Sequence, residues 1–101
     1  MQNGTDMQIS YRENGQVARL ELPTDFVFSA HVAFREALKN IRASAPVQTL
    51  ELDFSRVMQL DSAALGMLRC LIYDEPRYTV RLLHARADVR DMLEMAQLNP
   101  A

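Results

Sequence analysis

One stretch of the chain changes its hydrophobic period halfway along. In Leu50-Glu-Leu-Asp-Phe-Ser55, the residues Leu50, Leu52 and Phe54 alternate with Glu51, Asp53 and Ser55. That is the two-residue repeat of a strand with one buried face. From Ala63 the spacing becomes helical, with Leu65, Leu68 and Ile72 recurring and Ala64 and Leu71 beside them. Arg56-Val-Met-Gln-Leu-Asp-Ser62 joins the two. A central strand that passes through a short loop into a helix commits the chain to a layered α/β fold.

The junction is also chemically distinctive. The first turn of a helix exposes unpaired N–H groups and carries about half a positive charge. A hydroxyl there, such as that of Ser62, either caps the helix or presents itself for modification. Spacing alone favours the cap, because Ser and Asp are preferred at that position.

The remaining elements follow in order. Met7, Ile9 and Tyr11 alternate with Gln8, Ser10 and Arg12, a half-buried strand. Asn14-Gly15 is a strong hairpin signal, and Gln16–Leu22 returns as a second strand with Ala18, Leu20 and Leu22 on one side. Pro23-Thr-Asp25 breaks it. After Phe26-Val-Phe28, Ser29 suits the N-cap of a helix from Ala30 whose apolar face is Ala33, Phe34, Ala37, Leu38 and Ile41. Ala43–Pro46 ends that helix. Pro76 enforces an extended approach to a fourth strand, Tyr78–Leu83, and a last helix spans roughly Ala87 to Leu98 before Asn99-Pro100. The order is ββαβαβα. Three of the four strands keep a polar face, whereas a parallel sheet covered on both sides would be apolar throughout. The expected fold is a four-stranded mixed sheet with three helices packed mainly on one face.

Composition excludes several function classes. The 101 residues make one domain. A net charge of −2 argues against nucleic acid, whose binders need a basic face. No basic region precedes an apolar run at the N-terminus, and no apolar stretch approaches the ~20 residues of a membrane span, so a soluble cytoplasmic protein is expected. The single cysteine, Cys70, reads as a core or near-core residue. His31 and His84 have no partners at metal-ligand spacing, so neither metal nor cofactor is expected. There is no Gly-x-Ser-x-Gly elbow and no phosphate-binding glycine loop. Asp53 and Asp61 could form a carboxylate pair, but a solvated strand face and a helix cap explain them better.

The stretch from Leu50 onward, with Asp61-Ser62-Ala63-Ala64-Leu65-Gly66-Met67-Leu68 at its helical end, resembles the signature of the STAS domain, the sulfate transporter and anti-sigma factor antagonist family. Phe26, Phe28 and Ser29 also fit that family's extended aromatic approach to a first helix. The resemblance covers nearly the whole chain in element order and implies the mixed-sheet arrangement inferred above. It implies further that Ser62 is a reversibly phosphorylated switch residue. The partner surface it suggests runs over Met58, Gln59, Leu60, Asp61, Ser62 and Ala63. Met58 and Gln59 are the expected exposed contacts, while Val57 and Leu60 fit the core equally well.

On this resemblance the chain is a binding module and not an enzyme: an anti-sigma factor antagonist. Its partner is an anti-sigma factor and serine kinase of the HATPase type, opposed by a PP2C-type phosphatase. The unmodified form binds. An alternative within the family is an accessory subunit of an ABC-type lipid transport system, whose members tend to carry Thr at the switch position. Position 63 is Ala where some antagonists carry a second hydroxyl, and position 64 is Ala where Gly is frequent. Residues 1–101 are expected to form one STAS domain, with 1–6 flexible and the family's C-terminal element missing. A homodimer is one way to cover the edge so exposed.

Overall fold

The computed structural model describes residues 7–44, 46–75 and 77–99. Residues 1–6, expected to be flexible, and Pro76, expected to force an extended approach, lie outside the described residues.

Of six strands numbered along the chain, β1 (Gln8–Arg12), β2 (Val17–Glu21), β4 (Thr49–Asp53) and β6 (Thr79–Leu83) form one sheet in that order, while the two-residue strands β3 (Asp25–Phe26) and β5 (Gln59–Leu60) pair apart from it. β1 pairs antiparallel with β2, and the β2–β4 and β4–β6 pairs are parallel. The sheet is therefore mixed, as the polar faces of its strands predict. The β1–β2 turn runs through Glu13, Asn14 and Gly15, all at positive φ. Asn and Gly tolerate that conformation best, which is why they mark the hairpin.

One face of the sheet carries the core. Leu20 and Leu22 of the β2 segment and Leu50, Leu52 and Phe54 of the β4 segment are fully buried. They join Phe34, Ala37, Leu38 and Ile41 of α1 (His31–Arg42), Ala64, Leu68 and Leu71 of α2 (Ser62–Asp74), and Val89 and Leu93 of α3 (Ala87–Met95) in a single cluster. Arg69 Nη1 donates to the Ala96 carbonyl at 2.7 Å and ties the end of α3 to α2.

The opposite face is polar but not simply wet. Glu51, at its centre, is only 4% exposed. Its oxygens accept from Arg12 Nη2 at 2.8 Å and Arg19 Nε at 3.0 Å. A carboxylate this covered needs such partners, since burying it unpaired is costly.

Four details depart from the sequence reading. α1 begins at His31 with Ala30 at its N-cap, and no side chain caps it. Ser29 lies instead in a 3₁₀ turn, Phe28–Ala30, that precedes the helix. The buried stripe of α2 is centred on Ala64, Leu68 and Leu71, with Leu65 and Ile72 only flanking it. Cys70 therefore falls on an exposed flank and is not a core residue. α3 stops at Met95, where Gln97 turns left-handed at φ 63° and Leu98 N–H reaches back to the Leu93 carbonyl at 2.9 Å. That closure buries Leu98 beyond the helix end.

Candidate functional site

The loop between β4 and α2 is held by a second, very small sheet that the sequence does not announce. β3 (Asp25–Phe26) and β5 (Gln59–Leu60) pair in parallel, placing Asp25 beside Gln59 and Phe26 beside Leu60. The Thr24 carbonyl accepts from the N–H groups of Met58 (2.8 Å) and Gln59 (3.1 Å). Two-residue strands carry no readable alternation, so periodicity could not find them. Their inward side chains fix them: Phe26 is fully buried, edge-on to Phe34 at 5.2 Å and to Phe54 at 6.4 Å.

Val57 and Leu60 point the same way. Leu60 is 8% exposed and Val57 is buried, so both belong to the core. Leu60, predicted from sequence as a partner contact, is thereby corrected: its side chain holds the loop and does not present a surface. Met58 is 59% exposed, Gln59 is exposed and Ala63 is half-buried at the top of α2.

Asp61 is the N-cap of α2. Its backbone is extended (φ −117°, ψ 177°), and Oδ1 accepts from Ala64 N–H at 2.9 Å. Oδ2 accepts from Phe28 N–H at 3.0 Å. One carboxylate thus caps the helix and anchors the segment that follows β3. The hydrogen bond from Ala64, and next that from Phe28, hold its pKa below the ordinary carboxylate value, because both favour the charged form. Asp53 also serves the backbone, accepting from Ser55 N–H at 2.9 Å. Asp61 is the helix cap, and Asp53, read from sequence as part of a solvated strand face, closes a turn, so each carboxylate serves the backbone.

Ser62 is the first residue of α2 and is exposed. Because Asp61 performs the capping, the Ser62 hydroxyl has no structural task, and it makes no hydrogen bond among the described residues. It stands where an anion is favoured by the helix N-terminus. The same position lies directly after a fixed negative charge on Asp61. Sequence spacing favours Ser62 as the cap; the structure assigns that role to its neighbour.

Sequence reasoning also missed an aromatic neighbour of this junction. Phe28 is 63% exposed and stacks on His31 at 4.8 Å, with the rings 21° apart. His31 Nδ1 donates to the Phe28 carbonyl at 2.9 Å, since a carbonyl can only accept. The hydrogen bond from Phe28 to Asp61 brings this pair beside Ser62. The only hint in sequence is the Phe-Val-Phe alternation at 26–28. Among the described residues no group of His, Cys, Asp and Glu could hold a metal ion, and no helix is long and apolar enough to cross a membrane.

A four-stranded mixed sheet with its helices on one face is the arrangement that the resemblance of the sequence to the STAS domain implies. The family model described as Mlab, STAS domain matches residues 9–100, and the chain belongs to the STAS family. Among solved structures it is similar to the anti-sigma factor antagonist SpoIIAA in its unphosphorylated form, with a TM-score of 0.67 at 16% identity over 94% of this chain and 84% of that one. It is similar also to the Bacillus cell fate determinant SpoIIAA in the phosphorylated form, with a TM-score of 0.67 at 17% identity over 92% and 85%. At such identities the likeness is one of fold. No curated protein matches the chain.

Proposed function

We propose that this STAS domain is a phosphorylation-switched binding module, an anti-sigma factor antagonist that binds an anti-sigma factor of the serine-kinase type while Ser62 is unmodified. The observation that carries the reading is the exposed Ser62 hydroxyl, left without a structural role because Asp61 caps α2. The chain is equally similar to SpoIIAA in its unphosphorylated and phosphorylated forms, which favours a switch that leaves the fold alone.

Magnitudes point the same way. A phosphate adds about −1.5 to −2 charges. The helix N-terminus favours that anion by roughly 0.3–1 kcal/mol, and the neighbouring Asp61 repels it through screening solvent. These local effects oppose one another and leave the body of the domain undisturbed. At an interface no such balance exists, because burying an unpaired dianion costs several kcal/mol. A loss of about 4 kcal/mol weakens binding roughly a thousandfold. The switch acts by making a surface unbindable.

That surface comprises Met58, Gln59, Asp61, Ser62 and Ala63, joined by Phe28 at its side. The kinase that is bound modifies Ser62, and a PP2C-type phosphatase restores it; on this reading the domain works in the cytoplasm and performs no catalysis itself. The test is intact-mass measurement of the protein purified from its native host. One added phosphate mapped to the peptide containing Ser62 supports the reading. An unmodified Ser62 under all growth conditions overturns it.

A further inference from the structure

A groove of about 590 Å³ runs between α1 and α2, floored by Phe34 and Leu38 on one side and by Ala63, Gly66, Met67 and Cys70 on the other. The four α2 residues share one helical face. The groove opens one residue beyond Ser62 and ends at Asp74 and Glu75. From Ala63 to Asp74 that is roughly 16 Å, or three helical turns.

Gly66 is the telling residue. It lies in the interior of α2, where glycine is the poorest helix former after proline. A Cβ at this position would meet nothing within 4 Å, so the chain's own packing does not require the glycine. A residue that neither the helix nor the core prefers, on the floor of an open apolar groove, fits a close approach from outside.

The rim is electrically polar. The bond from Phe28 to Asp61 joins the starts of α1 and α2, and the Arg42–Glu75 ion pair joins their ends, so the helices run side by side in the same direction. Arg35 therefore stands towards the Ser62 end and Asp74 at the far end. Neither has an ion-pair partner among the described residues.

We propose that this groove seats an amphipathic helix of the protein partner, with its apolar face on Ala63, Gly66, Met67 and Cys70, an acidic residue against Arg35 and a basic residue against Asp74. The inference rests on the partner-binding reading above and names the element the partner supplies. It also gives phosphorylation a direct lever. A phosphate on Ser62 places negative charge at the end where the incoming helix carries its own.

The test titrates the full ¹⁵N-labelled chain with a synthetic three-turn peptide bearing Leu on one face, Glu at one end and Lys at the other. Amide shifts are expected at Ala63, Gly66, Met67 and Cys70. Gly66→Leu, whose side chain projects into open space, is expected to weaken binding at least tenfold with an unchanged circular dichroism spectrum. Arg35→Glu is expected to weaken it as much, and a peptide with that Glu changed to Lys to restore it. Ser62→Asp should weaken only the Glu-bearing peptide. Absence of binding, indifference to Gly66→Leu, or no rescue on Arg35→Glu would overturn the proposal. So would phosphatidylglycerol vesicles, or a second copy of the chain seen by light scattering, occupying the groove in place of the peptide. A phosphate on Ser62 without peptide seating would remove the groove and keep the switch. Seating in a chain that is never phosphorylated would do the reverse.

Discussion

The backbone N–H of Phe28 donates to Oδ2 of Asp61 at 3.0 Å, across 33 positions of sequence. The other oxygen of that carboxylate takes the Ala64 N–H. Through these two bonds a single side chain starts α2, fixes the approach to α1 and frees Ser62 from capping.

Replacing Asp61 should therefore disturb two places at once. Asp61→Ala is expected to lower Tm by about 5 °C, as the loss of a helix cap does in a domain of this size. It should also increase amide exchange at both Phe28 and Ala64. Asp61→Asn keeps one oxygen acceptor and should preserve protection at only one of the two. Exchange that rises at Ala64 alone would show that the link to Phe28 carries no weight.

The same bonds predict a pH dependence. The folded carboxylate titrates below its ordinary value of 3.8, so the unfolded chain binds its proton first as pH falls. The stability that Asp61 contributes is present in full above that ordinary value and is lost as pH drops through the lowered one. Urea melts of wild type and Asp61→Asn should differ at neutral pH and converge in strong acid. A gap that widened on acidification would contradict the assignment.

Changes at Ser62 should separate folding from binding. Because the hydroxyl is exposed and unengaged, Ser62→Ala and Ser62→Asp are expected to leave stability within about 0.5 kcal/mol of wild type. Ser62→Asp should abolish capture of the kinase partner, and Ser62→Ala should capture it constitutively. Isothermal titration with that partner decides the matter; equal affinity of wild type and Ser62→Asp would defeat the switch.

On the far face of the sheet, Glu51 joins Arg12 and Arg19. Both arginines are partly exposed, at 45% and 30% of the side chain, so they can return to water when the carboxylate is neutralised. Glu51→Gln should then cost about 1–2 kcal/mol, below the ~3–5 kcal/mol for breaking a fully buried pair. Chemical denaturation reads this directly.

Gly66 offers a prediction of the opposite sign. With open space where its Cβ would be, Gly66→Ala should stabilise the domain by about 1 kcal/mol through helix propensity alone. A lower Tm would mean that the position is crowded in solution.

The sequence by itself determined the four long strands, the three helices and the place where a strand gives way to a helix at Asp61-Ser62. Those features are written locally, in periods of two and of about 3.6 and in the preferences of turn and cap residues. It did not determine which of Asp61 and Ser62 caps the helix, because either side chain suits the role and a contact 33 residues away settles it. Nor could it place Leu60, which suits core and surface alike, since an irregular loop has no period, and burial there depends on pairing with a strand two residues long. Cys70 lies exposed, and not in the core its helical stripe suggests, for a related reason. A broad apolar helix face shows where the core lies but not which flank a neighbouring helix leaves open, and that was decided only when α1 and α2 came to lie side by side.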